Sequence, residues 1–129
     1  MSKLNVLKFI NVTLGFLWFY QGLIPKVLFI HPDEIAIWQH MGLAYDQAQQ
    51  LSQASGIAEI FFGLLFLFFS NKYLHVLNIL GLVLLFFLVA FLRPYTLVGA
   101  FNPVVMNVAM INLSILYLLL HGKTILNTD

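Results

Sequence analysis

Four ionisable side chains lie close together in a chain that is only 9% charged: Lys26, His31, Asp33 and Glu34. A fifth, Glu59, is the single ionisable residue of the apolar run GIAEIFFGLLFLFF. A carboxylic acid in such surroundings must pair, face a polar interior or stay protonated, because burying its charge is costly. A protonated or paired acid can hydrogen-bond a ligand oxygen and relay its proton. These residues are the first candidates for a site.

Two interpretations compete for the tetrapeptide HPDE. Pro32 suits the first position of a helix, and Asp33 and Glu34 follow it where the helix dipole favours anions. A metal site built from His31, Asp33, Glu34 and His40 is the sharper alternative, but this spacing matches no fixed ligand pattern. The sequence therefore predicts a helix start and no metal.

Glu59 shares its helical face with small residues, which let helices approach closely, so it is expected to point inward. That face comprises Ser52, Ser55, Gly56 and Gly63, and a comparable face near the N-terminus comprises Asn11, Gly15, Trp18 and Gly22. Gln21 lies beside the latter, and Pro25 cannot donate to its carbonyl. Two explanations account for these polar groups. They form a polar cluster that fixes the register of the helices, or they form a site for a ligand or a proton.

The segment before the last apolar run adds further polar residues. Asn102 suits an N-cap and Pro103 a first helical residue, while Asn107 is suited to hydrogen bonding between helices. The complete candidate ligand-binding set is Gln21, Lys26, Glu59, Arg93, Asn102 and Asn107, with His31, Asp33 and Glu34 as a rim. Catalytic residues stay unassigned, because no nucleophile–base pair or cofactor motif is visible.

The elements that position these residues are membrane helices. The chain is 61% apolar with a mean hydropathy of +0.94, against about 45–50% apolar residues in soluble domains. Four apolar segments, at residues 4–24, 51–69, 74–92 and 104–120, approach the length of about 20 residues that crosses a bilayer. We therefore predict one all-α transmembrane domain, a four-helix bundle. The net charge of +1 argues against nucleic acid as a partner, and the absence of cysteine excludes thiol chemistry.

An amphipathic helix is predicted between the first two spans. Ile37, Trp38, Met41, Tyr45 and Ala48 recur at helical spacing, which is typical of a helix lying in the membrane interface over residues 33–48.

The basic residues predict an orientation, since lysine and arginine are retained on the cytoplasmic side. Lys3, Lys8, Lys72 and Lys123 would lie inside, against Lys26 and Arg93 outside. This balance predicts that both termini are cytoplasmic.

Three blocks resemble the signature of the DoxX-like membrane proteins: YQGLIPKVLFIHPDE from Tyr20, GIAEIFFGLLFL around Glu59, and FNPVVMN from Phe101 to Asn107. The family pattern would mark Gln21, Gly22, Pro25, Lys26, His31, Pro32, Asp33, Glu34, Glu59, Asn102, Pro103 and Asn107. The resemblance implies a compact four-helix protein of the bacterial inner membrane. It also implies an association with quinone-linked oxidoreductases, whereas the disulfide chemistry of one related branch is untenable without cysteine.

Two classes of function remain open. In the first, a cavity lined by Gln21, Lys26, Glu59 and Asn107 binds a small amphipathic or quinone-like molecule as an accessory to redox metabolism. In the second, the chain is a structural or transport-type membrane subunit without chemistry of its own. The expected partners are membrane lipids, a small hydrophobic ligand, and either further copies of the chain or a redox protein.

Overall fold

The structure, a computed structural model, describes residues 2–100 and 102–125, with only the backbone of residues 123–125. Phe101 of the third block and Asp129 at the C-terminus lie outside the described residues. The described residues are 88% helical, in five α-helices and without a strand, which confirms the all-α class. Four helices are long and apolar enough to cross a membrane: Lys3–Leu28, Tyr45–Phe68, Lys72–Leu92 and Pro103–Gly122.

The helices follow the apolar segments closely at most of their ends. Helix α1 covers Lys3–Gly22 and continues as a π-helix over Leu23–Leu28. The other helices are α2 (Pro32–His40), α3 (Tyr45–Phe68), α4 (Lys72–Leu92) and α5 (Pro103–Ile125), with a 3₁₀-helix at Pro94–Val98. The largest differences from the sequence-based bounds fall at Pro25, between His40 and Tyr45, and at the end of α5, which continues past residue 120 to Ile125.

Pro25 does not end the first membrane helix. A proline inside an α-helix removes one hydrogen bond and crowds the preceding turn. Here the wider π-helix absorbs it, with Phe29 N–H donating to the Ile24 carbonyl at 2.9 Å and His31 N–H to the Pro25 carbonyl at 2.8 Å. Lys26 therefore lies inside the membrane helix and is buried, whereas the sequence placed it just beyond the helix end.

The single helix predicted over residues 33–48 is interrupted at Gly42. Its first part is α2, which ends at His40, and residues 45–48 belong to α3. Gly42 has a φ of +89°, the left-handed conformation that glycine adopts without strain. Its N–H donates to the Gln39 carbonyl, and Leu43 N–H donates to the Trp38 carbonyl. This pair of bonds is the Schellman motif that closes a helix at glycine.

Helix α3 begins at Tyr45 rather than Leu51, because Gln47 in its first turn caps it. The Ala44 N–H donates to Gln47 Oε1 at 3.3 Å, which is one of the two hydrogen bonds of a capping box. Asp46 lies in the first turn, where the helix dipole favours an acid. Residues 45–48 thus belong to the second membrane helix.

Contacts group the chain into two compact units. We call Gly15–Phe68 the Glu59 unit, and Met1–Leu14 together with Phe69–Asp129 the His75 unit. The first holds the end of α1, the π-helix, α2 and α3. The second holds the start of α1, α4, the 3₁₀-helix and α5.

In the Glu59 unit, α1 and α3 approach closely through pairs of glycines. A Cβ atom on Gly63 would lie 2.7 Å from the Gly15 carbonyl oxygen, and one on Gly56 would lie 2.7 Å from the Gly22 carbonyl oxygen. Only glycine allows this approach, which is the small-residue packing expected between membrane helices. The inward face predicted from small residues is thereby confirmed for this unit.

In the His75 unit, α4 packs against α5 around a polar core, and both helices have side-chain caps. Asn71 Oδ1 accepts from Tyr73 N–H at the start of α4, and Asn102 Oδ1 accepts from Val104 N–H at the start of α5. Large apolar side chains on α4 are exposed, with Phe91 at 92%. Exposed apolar surface on this scale is suited to lipid.

Candidate functional site

Lys26 is held between two carboxylates in the Glu59 unit. Its Nζ donates to Glu59 Oε1 at 2.6 Å, and Glu34 Oε2 lies 3.4 Å from the same nitrogen. The Lys26 side chain is 8% exposed and the Glu59 side chain 15%. The short distance is that of a charge-assisted hydrogen bond. Three of the candidate residues therefore meet, one each from the π-helix, α2 and α3.

The glycine contacts explain how Lys26 reaches Glu59. A Cβ on Gly56 would lie 2.7 Å from Lys26 Cβ, so the lysine stem passes α3 at the position of this glycine. Glu59 is three residues further along α3, or roughly 4.5 Å at the helical rise of about 1.5 Å per residue. The lysine side chain is long enough to cover this distance, so Lys26 and Glu59 make direct contact.

Several buried oxygens in the same unit make no hydrogen bond to any other described residue. They are Glu59 Oε2, Gln21 Oε1 and Ser52 Oγ. A buried oxygen without a donor is energetically unfavourable, and most buried polar groups in proteins are paired. Glu59 thus uses one carboxylate oxygen for Lys26 and has the other available as an acceptor.

The remaining members of the HPDE segment serve the start of α2. His31 is the N-cap, and its Nδ1 accepts from Asp33 N–H at 3.2 Å. Pro32 is the first helical residue, as the sequence predicted. His31 and Asp33 are exposed, and Glu34 turns to Lys26. Within residues 2–100 and 102–125, no group of three or more His, Asp or Glu side chains is arranged to hold a metal ion.

Arg93, Asn102 and Asn107 belong to the His75 unit. Both polar atoms of the Asn102 amide make hydrogen bonds, because Oδ1 caps α5 and Nδ2 donates to the Gly99 carbonyl at 2.9 Å. Helix capping therefore explains this residue without a ligand. Arg93 is largely buried, and its guanidinium lies 4.6 Å from the centre of the Tyr95 ring. Asn107 is 4% exposed, and its Oδ1 makes no hydrogen bond among the described residues.

The sequence profile of the DoxX-like family matches residues 15–115, most of the chain. The chain belongs to the DoxX-like family. The matched region contains Lys26, Glu34 and Glu59, and it extends from Gly15 at the start of the Glu59 unit into α5. No curated protein and no solved structure matches the chain.

A second polar cluster in this DoxX-like chain escapes sequence reasoning. His75, Asn78 and Ser114 are fully buried in the His75 unit, and the Tyr117 ring stacks on His75 with ring centres 3.6 Å apart. His75 Nε2 lies 2.9 Å from Asn11 Oδ1. The spacing of His75 and Asn78, which are three residues apart and so share one helical face, is the feature of the sequence that could have indicated this cluster. Asn78 belongs to the cluster through Nδ2, which donates to Ser114 Oγ and to the Met110 carbonyl.

The hydrogen bonds around His75 form a directed chain. Asn78 Nδ2 donates to Ser114 Oγ at 2.8 Å, so the serine hydroxyl can donate to His75 Nδ1 at 3.1 Å. His75 Nε2–H then donates to Asn11 Oδ1. This sequence fixes the Nε2–H tautomer and leaves both ring nitrogens satisfied. The cluster therefore ties α1, α4 and α5 together.

Proposed function

We propose that this DoxX-like protein binds a small amphipathic or quinone-like molecule at the Lys26–Glu59 pair, as an accessory to membrane redox metabolism. The observation that carries the proposal is the buried carboxylate of Glu59, with Oε1 on Lys26 and Oε2 without a hydrogen bond among the described residues. Gln21 Oε1 and Ser52 Oγ, also buried in this unit, add further acceptors. A ligand with polar donors on an apolar body suits such buried acceptors in a membrane helix pair.

The chemistry of the pair fits both redox forms of a quinone. A quinone carbonyl accepts hydrogen bonds, which the Lys26 ammonium supplies. A quinol hydroxyl donates them, which Glu59 Oε2 accepts. Glu59 is the proton-exchanging group in this proposal, and Lys26 positions it. Asn107 and Arg93 stay candidates in the His75 unit.

The test is a fluorescence titration with a short-chain quinone. Both tryptophans, Trp18 and Trp38, lie in the Glu59 unit, so quenching reports on ligands bound there. We expect saturable quenching that competes with the quinol. Quenching that rises linearly, without saturation, would contradict the proposal.

A structural or transport-type subunit is the second candidate function. The observation that favours it is the direct Lys26–Glu59 contact, which joins the π-helix to α3 without any ligand. On this account the polar groups only fix the register of the helices. Purified protein would then show no saturable binding of quinone.

The same proposal includes a location and an orientation. The chain lies in the bacterial inner membrane with both termini in the cytoplasm, beside further copies of itself or a redox partner. The orientation rests on Lys3, Lys8, Lys72 and Lys123 near the inner helix ends, against Lys26 and Arg93 near the outer ones.

We further propose that α2 lies in the membrane interface, since Trp38 is half-buried and the neighbouring acids are at its start. In a Trp18→Phe variant, a lipid carrying a shallow quencher should reduce Trp38 fluorescence more than one carrying a deep quencher. Stronger quenching from the bilayer centre would exclude this location.

A further inference from the structure

A cleft of about 420 Å³ lies in the His75 unit, separate from the Lys26–Glu59 pair. It is lined by Lys3, Leu4, Leu7, Ser70, Tyr117 and His121. These residues come from the start of α1, the short connection before α4 and the last turns of α5. The cleft therefore lies where three membrane helices of this unit begin or end. Its volume is within the range of about 300–1,000 Å³ of small-molecule sites.

The polar side of the cleft is built from hydrogen-bond donors. The Tyr117 hydroxyl lies 2.7 Å from Ser70 Oγ, and the Tyr117 side chain is almost completely buried. Two hydroxyls that share one hydrogen bond have a second proton left to donate. The His121 ring lies beside Tyr117, with ring centres 5.7 Å apart, and Lys3 contributes an ammonium. This donor set is suited to the oxygens of an anion.

The charge distribution of the unit favours an anion over a zwitterion. Residues 2–14 and 69–125 contain no Asp or Glu, and Asp129, the remaining acid of the unit, lies outside the described residues. The same segments contain Lys3, Lys8, Lys72 and Lys123, together with Arg93 at the opposite end of α4. A ligand with its own ammonium group would meet like charges here and find no described carboxylate. Opposite charges in a partly shielded cleft attract more strongly than in water.

The apolar side of the cleft indicates where the anion comes from. Leu4 and Leu7, on adjacent turns of α1, form a wall that a free ion cannot use. An acyl chain can pack against that wall along the membrane face of α1. The ends of membrane helices lie at the depth of phospholipid head groups.

We propose that this cleft binds the phosphate head group of an anionic membrane phospholipid, with the acyl chains passing along Leu4 and Leu7. The phosphate oxygens accept from Lys3, His121 and the Tyr117–Ser70 hydroxyl pair. The site does not rest on the quinone proposal, since all of its residues lie outside the Glu59 unit.

The experiment is native mass spectrometry of the detergent-solubilised chain with equal amounts of phosphatidylglycerol, phosphatidylethanolamine and phosphatidylcholine of identical acyl chains. We expect one phosphatidylglycerol to be retained in preference to both zwitterionic lipids. The double variant Lys3→Gln, His121→Gln should weaken that binding about tenfold or more, as expected when charge-assisted hydrogen bonds are lost. Lys8→Gln is the matched control, because Lys8 is exposed on the same helix and does not line the cleft.

Three results would overturn the proposal. Equal retention of the three lipids by the unmodified chain would remove the head-group preference, whatever the variants do. An equal loss in Lys8→Gln would reduce the effect to general charge attraction. Displacement of the lipid by excess inorganic phosphate would show that a free ion suffices. Circular dichroism of each variant separates a lost site from a lost fold.

Discussion

At the residue scale, the sequence singles out Lys26 and Glu59 but does not predict their direct contact. A charge inside an apolar helix is conspicuous in any membrane sequence, because its burial is costly. Their separation depends on where α3 begins and on how the chain passes Pro25. Capping by Gln47 and the π-helix decide both points. His75 was missed for a related reason, since its partners Asn11 and Ser114 are remote in the sequence.

The buried pair leads to a first prediction on stability. Lys26→Met should lower the free energy of unfolding by about 3 kcal/mol, because Glu59 loses its partner while still buried. Adding Glu59→Leu to that variant should recover much of the loss, since apolar side chains can replace a buried ion pair. Denaturant unfolding of the purified chain measures both. Lys8→Met, at an exposed lysine, should change little. Losses that simply add would show that the two side chains do not interact.

At the element scale, single residues with special backbone properties set the helix ends that periodicity misses. Apolar spacing predicted a helix through residue 48, but Gly42 closes α2 in a Schellman motif. Proline predicted an end at residue 25, but the π-helix continues to Leu28. The helix starts at Pro32 and Pro103 were predicted correctly, because proline suits the first helical position whatever lies elsewhere in the chain.

The glycine pairs lead to a second prediction. Gly22→Ala should destabilise the chain by about 1–3 kcal/mol, since the new Cβ would press on the Gly56 carbonyl and on Glu59 Cβ. Gly81→Ala is the matched control, because nothing lies within 4 Å of its new Cβ. That change should be neutral or slightly stabilising, as alanine favours helix over glycine. Thermal unfolding of the two variants in one detergent compares them. Equal melting temperatures would contradict the role assigned to Gly22.

At the scale of the whole molecule, composition alone predicts the all-α class and the four helices long enough to cross a membrane. Length and apolar content restrict a chain of this kind to a few crossings. The division of contacts into two units could not be predicted in this way, because it depends on which helix faces meet. The sequence places Asn107 beside Glu59, whereas the structure assigns the two residues to different units.

The orientation leads to a third prediction, which uses the absence of cysteine from the chain. A membrane-impermeant maleimide should label Asp46→Cys in intact cells and should leave Asp129→Cys unlabelled until the cells are opened. Asp46 lies at the start of α3, and Asp129 is at the C-terminus, outside the described residues. Labelling of Asp129→Cys but not Asp46→Cys in intact cells would reverse the orientation.

The central claim is that Glu59 binds a ligand rather than only joining helices. Glu59→Gln keeps an oxygen for Lys26 Nζ and leaves Glu34 as a counter-charge 3.4 Å away, so the variant should still fold, with a smaller loss of stability than Lys26→Met. It removes the carboxylate charge and its proton exchange. Asp46→Asn, an exposed acid on the same helix, is the matched control.

The most direct measurement is native mass spectrometry of gently extracted wild-type, Glu59→Gln and Asp46→Asn protein, beside their melting temperatures. We predict that the wild type and Asp46→Asn retain a small molecule that Glu59→Gln has lost, with all three folded at the temperature of the measurement. Retention of the same molecule by Glu59→Gln would contradict the claim and would leave Glu59 with the structural role alone.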